Sequence, residues 1–164
     1  MQLITQPPTD QQPMLRLMAP VSGHCSALQQ LPHALFQILA FGQGFVMQPG
    51  TQRFLAPATC KIKQISADRT LWQLQLPNTI NCRIELLMPR HLELPLAHSE
   101  ASVGQLLQAG DPLFVLTAET MRNAPLIAIT FTSKDPDISI QVHYGKVIAA
   151  QDTVLSFFNH FISE

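Results

Sequence analysis

Almost every apolar run in this chain is short and is closed by proline, glycine or asparagine. Phe45 to Met47, Ile84 to Met88, Leu113 to Leu116 and Leu126 to Phe131 are the clearest of them, and thirteen prolines lie among the runs. Each proline removes one backbone donor and is excluded from the interior of a central ladder, so strands must stay short. That punctuation predicts an all-β sandwich or barrel of many short strands. Leu71-Trp72-Gln73-Leu74-Gln75-Leu76 adds apolar/polar alternation, the pattern of a half-buried strand. Lys61-Ile62-Lys63 alternates in the same way and reads as strand. Helical signal is weak: about two turns at His33 to Leu39 and one at Glu119 to Asn123. Thr153 to Ile162 suits either a strand or a docked helix.

Charge excludes several classes of function. Charged residues make up 13% of the 164, against about 25% in an average soluble domain, and the net charge is -1. Such a chain has no field to gather nucleic acid or an anionic membrane surface. No apolar stretch approaches the roughly 18 residues of a membrane helix, and the N-terminus has no secretory pattern of basic then apolar residues. Cys25, Cys60 and Cys82 are odd in number and widely spaced, which fits neither a disulfide framework nor a thiolate zinc site. Three dispersed thiols fit a reducing, cytoplasmic setting. The length suits one domain: residues 1–13, polar and carrying three prolines, read as a flexible tail, and residues 14–164 as a single β domain.

Two internal echoes point to a duplication. Leu17-Met18-Ala19-Pro20-Val21-Ser22-Gly23 recurs loosely as Phe54-Leu55-Ala56-Pro57-Ala58-Thr59-Cys60. Gly104 to Asp111 recurs as Gly145 to Asp152, each with glycine seven residues before aspartate and apolar residues on both sides. The second pattern reads as strand, tight turn, strand, with the aspartate bonding backbone N–H groups across the bend.

Taken in order, these motifs resemble the glucose-type enzyme IIA of the bacterial phosphoenolpyruvate:sugar phosphotransferase system. Ala19-Pro20-Val21-Ser22-Gly23 resembles that family's S-P-I-S-G opening, and Gly42-Gln43-Gly44-Phe45-Val46-Met47-Gln48-Pro49 its G-D-G-I-A-I-K-P. Leu31 to Phe36 stands where the family has V-P-D-P-V-F, and Leu55 to Cys60 resembles V-A-P-V-D-G. Gly104 to Asp111, with Ala124 to Ser133, resembles G-x-x-V-x-x-G-D and the late apolar strand. The similarity spans residues 17 to 157 and implies a duplicated hybrid motif folded as a β-sandwich or barrel.

The resemblance implies a phosphocarrier with two facing histidines, since a neutral imidazole is a competent nucleophile near pH 7. This sequence departs there. The first histidine position falls on Thr70 or Arg69, and the second, in Ile84-Glu85-Leu86-Leu87-Met88-Pro89-Arg90-His91, falls on Pro89. A family member without the histidine pair is expected to act by binding. The matching docking face would comprise Phe41, Phe45, Leu71, Trp72, Met88 and Pro89 beside Arg69, Thr70 and Arg90. The same apolar side chains would serve equally well as core. Partners implied by the resemblance are proteins: the histidine phosphocarrier protein, a sugar permease or a regulated target.

A second reading keeps the phosphocarrier and makes His91, two residues past Pro89, a displaced acceptor with Arg69 or Arg90 neutralising phosphoryl charge. A third is a small-molecule or sugar sensor at the same place. His24, His33, His98, His143 and His160 read as surface, loop or terminal residues. No HxH or HxxxD spacing supports a metal, and no cofactor is expected. Lys61 and Lys63 are not at a hairpin tip, as a biotinyl or lipoyl carrier would require. Gly42-x-Gly44 reads as a turn signal, because no Lys-Ser/Thr follows it to cradle phosphate.

Overall fold

A computed structural model describes residues 1–89, 91–93 and 95–159. Fifteen strands fall within them. Gln2–Leu3 (β1), Leu15–Met18 (β2), Gly23–Ala27 (β3), Gln43–Pro49 (β4) and Arg53–Leu55 (β5) come first. Cys60–Ile65 (β6), Leu71–Gln75 (β7), Asn81–Leu87 (β8), Ala97–Ser99 (β9) and Leu106–Leu107 (β10) follow. Pro112–Leu116 (β11), Leu126–Thr132 (β12), Ile138–Val142 (β13), Gly145–Val147 (β14) and Thr153–Asn159 (β15) complete the set. Two single helical turns, Ala34–Gln37 (α1) and Ala118–Arg122 (α2), stand where the helical signals lay. Thr117 caps the second, its hydroxyl accepting from the Thr120 N–H at 3.1 Å.

The strands form an eight-stranded sheet, β10-β6-β7-β8-β12-β4-β3-β14, a four-stranded sheet, β1-β13-β15-β2, and a three-stranded one, β5-β11-β9. Alternation decides the burial. On β8, Cys82, Ile84 and Leu86 face the core while Asn81, Arg83 and Glu85 face outward, and on β7 Trp72 and Leu74 are the buried pair. Phe54, Phe114 and Trp72 stack in sequence at the centre, with ring centroids 4.6 and 3.9 Å apart. Burial pushes the Cys25 thiol up to about 12 and Cys60 to about 11, and raises Cys82 as well, so none of them is a thiolate near neutral pH.

The stretch expected to be a flexible tail is tied down at its start. Residues 2 and 3 pair in parallel with Ser139 and Ile140, and the Ile4 N–H donates to the Ile140 carbonyl at 2.8 Å. Leu3 packs on the core, an apolar contact that composition alone did not reveal. The C-terminal run is a strand through Asn159, held between β13 and β2.

The duplication is visible in paired hydrogen bonds. The Met18 N–H donates to the Pro57 carbonyl at 2.9 Å, and its counterpart Leu55 donates to Pro20 at 2.7 Å. Likewise Ala19 donates to the Asp152 carbonyl and Ala56 to that of Asp111, both at 2.8 Å. Each aspartate also closes its own turn, Asp111 Oδ2 accepting from the Gln108 N–H and Asp152 Oδ2 from that of Ile148. The second turn is one residue longer. Its left-handed position is Ala150, at φ +58°, where the first copy uses Gly110. A Cβ in that region costs about 1–2 kcal/mol, offset in part by the greater freedom glycine has in the unfolded chain. Ala150→Gly is therefore expected to raise stability by about 0.5–1 kcal/mol in urea denaturation.

Candidate functional site

The β6–β7 hairpin and the chain leaving β8 meet at a depression of about 730 Å³. The hairpin turn is tightly organised. Ser66 Oγ accepts from the Thr70 and Leu71 N–H groups at 3.1 and 2.9 Å and donates to Asp68 Oδ1 at 2.7 Å. The Thr70 hydroxyl also donates to Asp68 Oδ1, at 2.8 Å. Those hydroxyls hold the Asp68 carboxyl below the usual carboxylate range. Arg69 takes the left-handed position of the turn, φ +58°, and returns a guanidinium bond to the Ser66 carbonyl at 3.2 Å. The Thr70 carbonyl accepts from the Leu86 N–H at 2.8 Å, which locks the turn against β8.

Four of the residues singled out from sequence line this depression: Arg69, Thr70, Met88 and His91. Leu92 and Leu96 add apolar wall, and Asp68 and Glu93 add negative charge. His98 lines it too, although it reads as a loop residue in sequence. It projects from β9 opposite buried Ala97, and β9 is placed by pairing with β11, where His98 faces Val115. No local motif announces that placement. Thr117 N–H and Thr120 Oγ1 both donate to the Leu96 carbonyl, at 3.1 and 2.8 Å, and so fix the far wall.

The other expected face residues are not gathered there. Trp72 and Phe45 are core side chains, at 0% and 1% exposure, and no partner can reach them. The reason is strand alternation: the partly exposed neighbours of Trp72 are Leu71 and Gln73. Leu71 is half-buried and opposite Glu85, and Pro89 is exposed just past β8; neither lines the depression. Phe41 packs elsewhere, beneath the guanidinium of Arg83 at 3.9 Å from the ring centre. Arg90 and His160 lie outside the described residues. Among the described residues no group of three or more His, Cys, Asp or Glu could hold a metal ion, and no helix is long and apolar enough to cross a membrane.

The duplicated β fold, with Thr70 and Met88 on one depression, agrees with the architecture that the resemblance to the enzyme IIA class implies. The model of one such family, phosphoenolpyruvate-dependent sugar phosphotransferase system EIIA 1, matches residues 15–137, and the chain belongs to that family. Glucose permease IIA from Mycoplasma capricolum shares its fold, with a TM-score of 0.70 at 21% sequence identity, over 86% of this chain and 94% of that one. A search of curated proteins finds no match.

Proposed function

We propose that this enzyme IIA protein works by binding and regulating a partner protein, without carrying a phosphoryl group at the position its family uses. The supporting observation is the pair of residues at the two histidine positions. Pro89 offers no nucleophile. The Thr70 hydroxyl is committed to Asp68, and a carboxylate stabilised in its charged form is a weak base for activating it. What the depression retains is an apolar rim, Met88, Leu92 and Leu96, beside Arg69 and the two imidazoles, a composition suited to docking a protein surface. Partners of matching chemistry are the histidine phosphocarrier protein, a sugar permease or a regulated target.

A second reading draws on His91 and His98 lining one depression with Arg69. There His91 is the acceptor, Arg69 steadies phosphoryl charge, and His98 stands in for the partner imidazole. Intact-mass analysis after incubation with phosphoenolpyruvate, enzyme I and the histidine phosphocarrier protein separates the two. The binding reading expects no phosphoryl adduct while an active enzyme IIA in the same tube is labelled. An acid-labile adduct that disappears in His91→Ala overturns it in favour of the phosphocarrier.

A further inference from the structure

A second depression, of about 580 Å³, lies on the outer face of the eight-stranded sheet, where Thr130, Arg83 and Gln73 stand in register across β12, β8 and β7. The next row adds Thr132 opposite Asn81. Three features mark it as more than a solvated sheet face. Lys63 is the extra residue of a β-bulge, since Ile62 pairs with Leu74 and Gln64 with Gln73, and a bulge re-aims a side chain out of the ladder. Lys63 lines the depression and has no carboxylate partner among the described residues.

The second feature is Arg83. Its guanidinium lies over the Phe41 ring at 3.9 Å, and one nitrogen donates to Glu85 at 2.7 Å. That arrangement pins the fork and leaves its other donors without a protein acceptor among the described residues. The third is Thr130, which is 1% exposed and whose hydroxyl has no hydrogen-bond partner. A sealed, unpaired hydroxyl is costly, and this one belongs to the wall of the depression. Two cations, one of them ion-paired with Glu85, two side-chain amides and the exposed Thr132 hydroxyl open onto it, with Thr130 beneath.

We propose that this depression binds a small anion that also carries hydroxyl groups, the chemistry shared by phosphorylated sugars and sugar acids. Lys63 and Arg83 take the anionic head, and Gln73, Asn81 and Thr132 bond the hydroxyl-bearing body. The proposal does not depend on whether the protein carries a phosphoryl group, because its residues are separate from those of the first depression.

Titration of isotope-labelled protein with glucose 6-phosphate, gluconate, glucose and inorganic phosphate, followed by NMR, tests it. Saturable shifts centred on Lys63, Gln73, Arg83 and Thr130 are expected with glucose 6-phosphate or gluconate. The tighter of the two identifies which anionic head is preferred. Glucose and inorganic phosphate, each lacking half of the recognised chemistry, are expected to bind at least tenfold more weakly. Lys63→Gln and Thr132→Val, both at exposed positions whose replacement does not disturb the core, are each expected to weaken binding about tenfold. Absence of saturable shifts with both anions, or binding unchanged in both variants, overturns the proposal.

Discussion

Trp72→Ala is expected to cost about 3–5 kcal/mol of stability, the range for removing a buried aromatic. The ring is completely buried and stacks on Phe114 at 3.9 Å, and Phe114 in turn stacks on Phe54. Losing it opens a cavity at one end of a three-ring column that joins the eight-stranded sheet to the three-stranded one. Urea denaturation followed by circular dichroism gives the measurement, since Trp72 is the only tryptophan and its fluorescence vanishes with it. Trp72→Phe is expected to cost less than half as much, because it keeps a ring in the stack and removes an indole N–H that has no partner. A docking role would give the opposite pattern: stability within about 0.5 kcal/mol of the parent, as at ordinary surface sites, and weakened partner binding.

Gly44→Ala is expected to be nearly as damaging, at about 3 kcal/mol, the upper end of overpacking. Gly44 lies inside β4, paired with Thr130, and a Cβ there would collide with the Ile129 carbonyl oxygen and the adjoining backbone. The obstacle is main chain in a central ladder, so no rotamer change relieves it. Gly42, two residues earlier, has φ +98° and would meet the Phe131 carbonyl in the same way. The expected result for Gly44→Ala is a lower urea midpoint with little soluble protein at 37 °C. A midpoint unchanged from the parent would show that β4 and β12 can separate without cost. Of the Gly-x-Gly pattern, then, only Gly42 marks a bend; Gly44 is there so that two strands can approach.

Much of the fold was written locally. The strand signals at Phe45 to Met47, Leu71 to Leu76, Ile84 to Met88 and Leu113 to Leu116 correspond to β4, β7, β8 and β11, because period-two burial and proline punctuation act within a few residues. Trp72 is instructive in a different way. Its alternation with Gln73 and Gln75 already set it on the face of Leu74 and Leu76, and the docking role considered for it came from the resemblance, not from that pattern. His98, the β-bulge at Lys63 and the strand choice for residues 153–159 were illegible for a shared reason. Each depends on the register of a partner strand and not on the segment's own pattern: β11 for His98, β7 for Lys63, β13 and β2 for the C-terminal strand. The first depression was half legible, since Arg69, Thr70, Met88 and His91 were named from sequence while its far wall around Leu96 and His98 was not.

The pairing of β1 with β13 and of β2 with β15 also sets a timetable for the chain as it is made. Synthesis runs from the N-terminus, so β1 and β2 leave the ribosome before the other strands, yet among the described residues their only sheet neighbours are β13 and β15, made much later. At about 5–20 residues per second, the early strands wait roughly 7–30 seconds with open edges. The hairpins β6–β7–β8 and the β3–β4 pair can form meanwhile from neighbouring segments. The four-stranded sheet cannot, and the sandwich closes only once β15 has emerged. The four-stranded sheet is therefore the last to be completed, with the first strands the last to find their places.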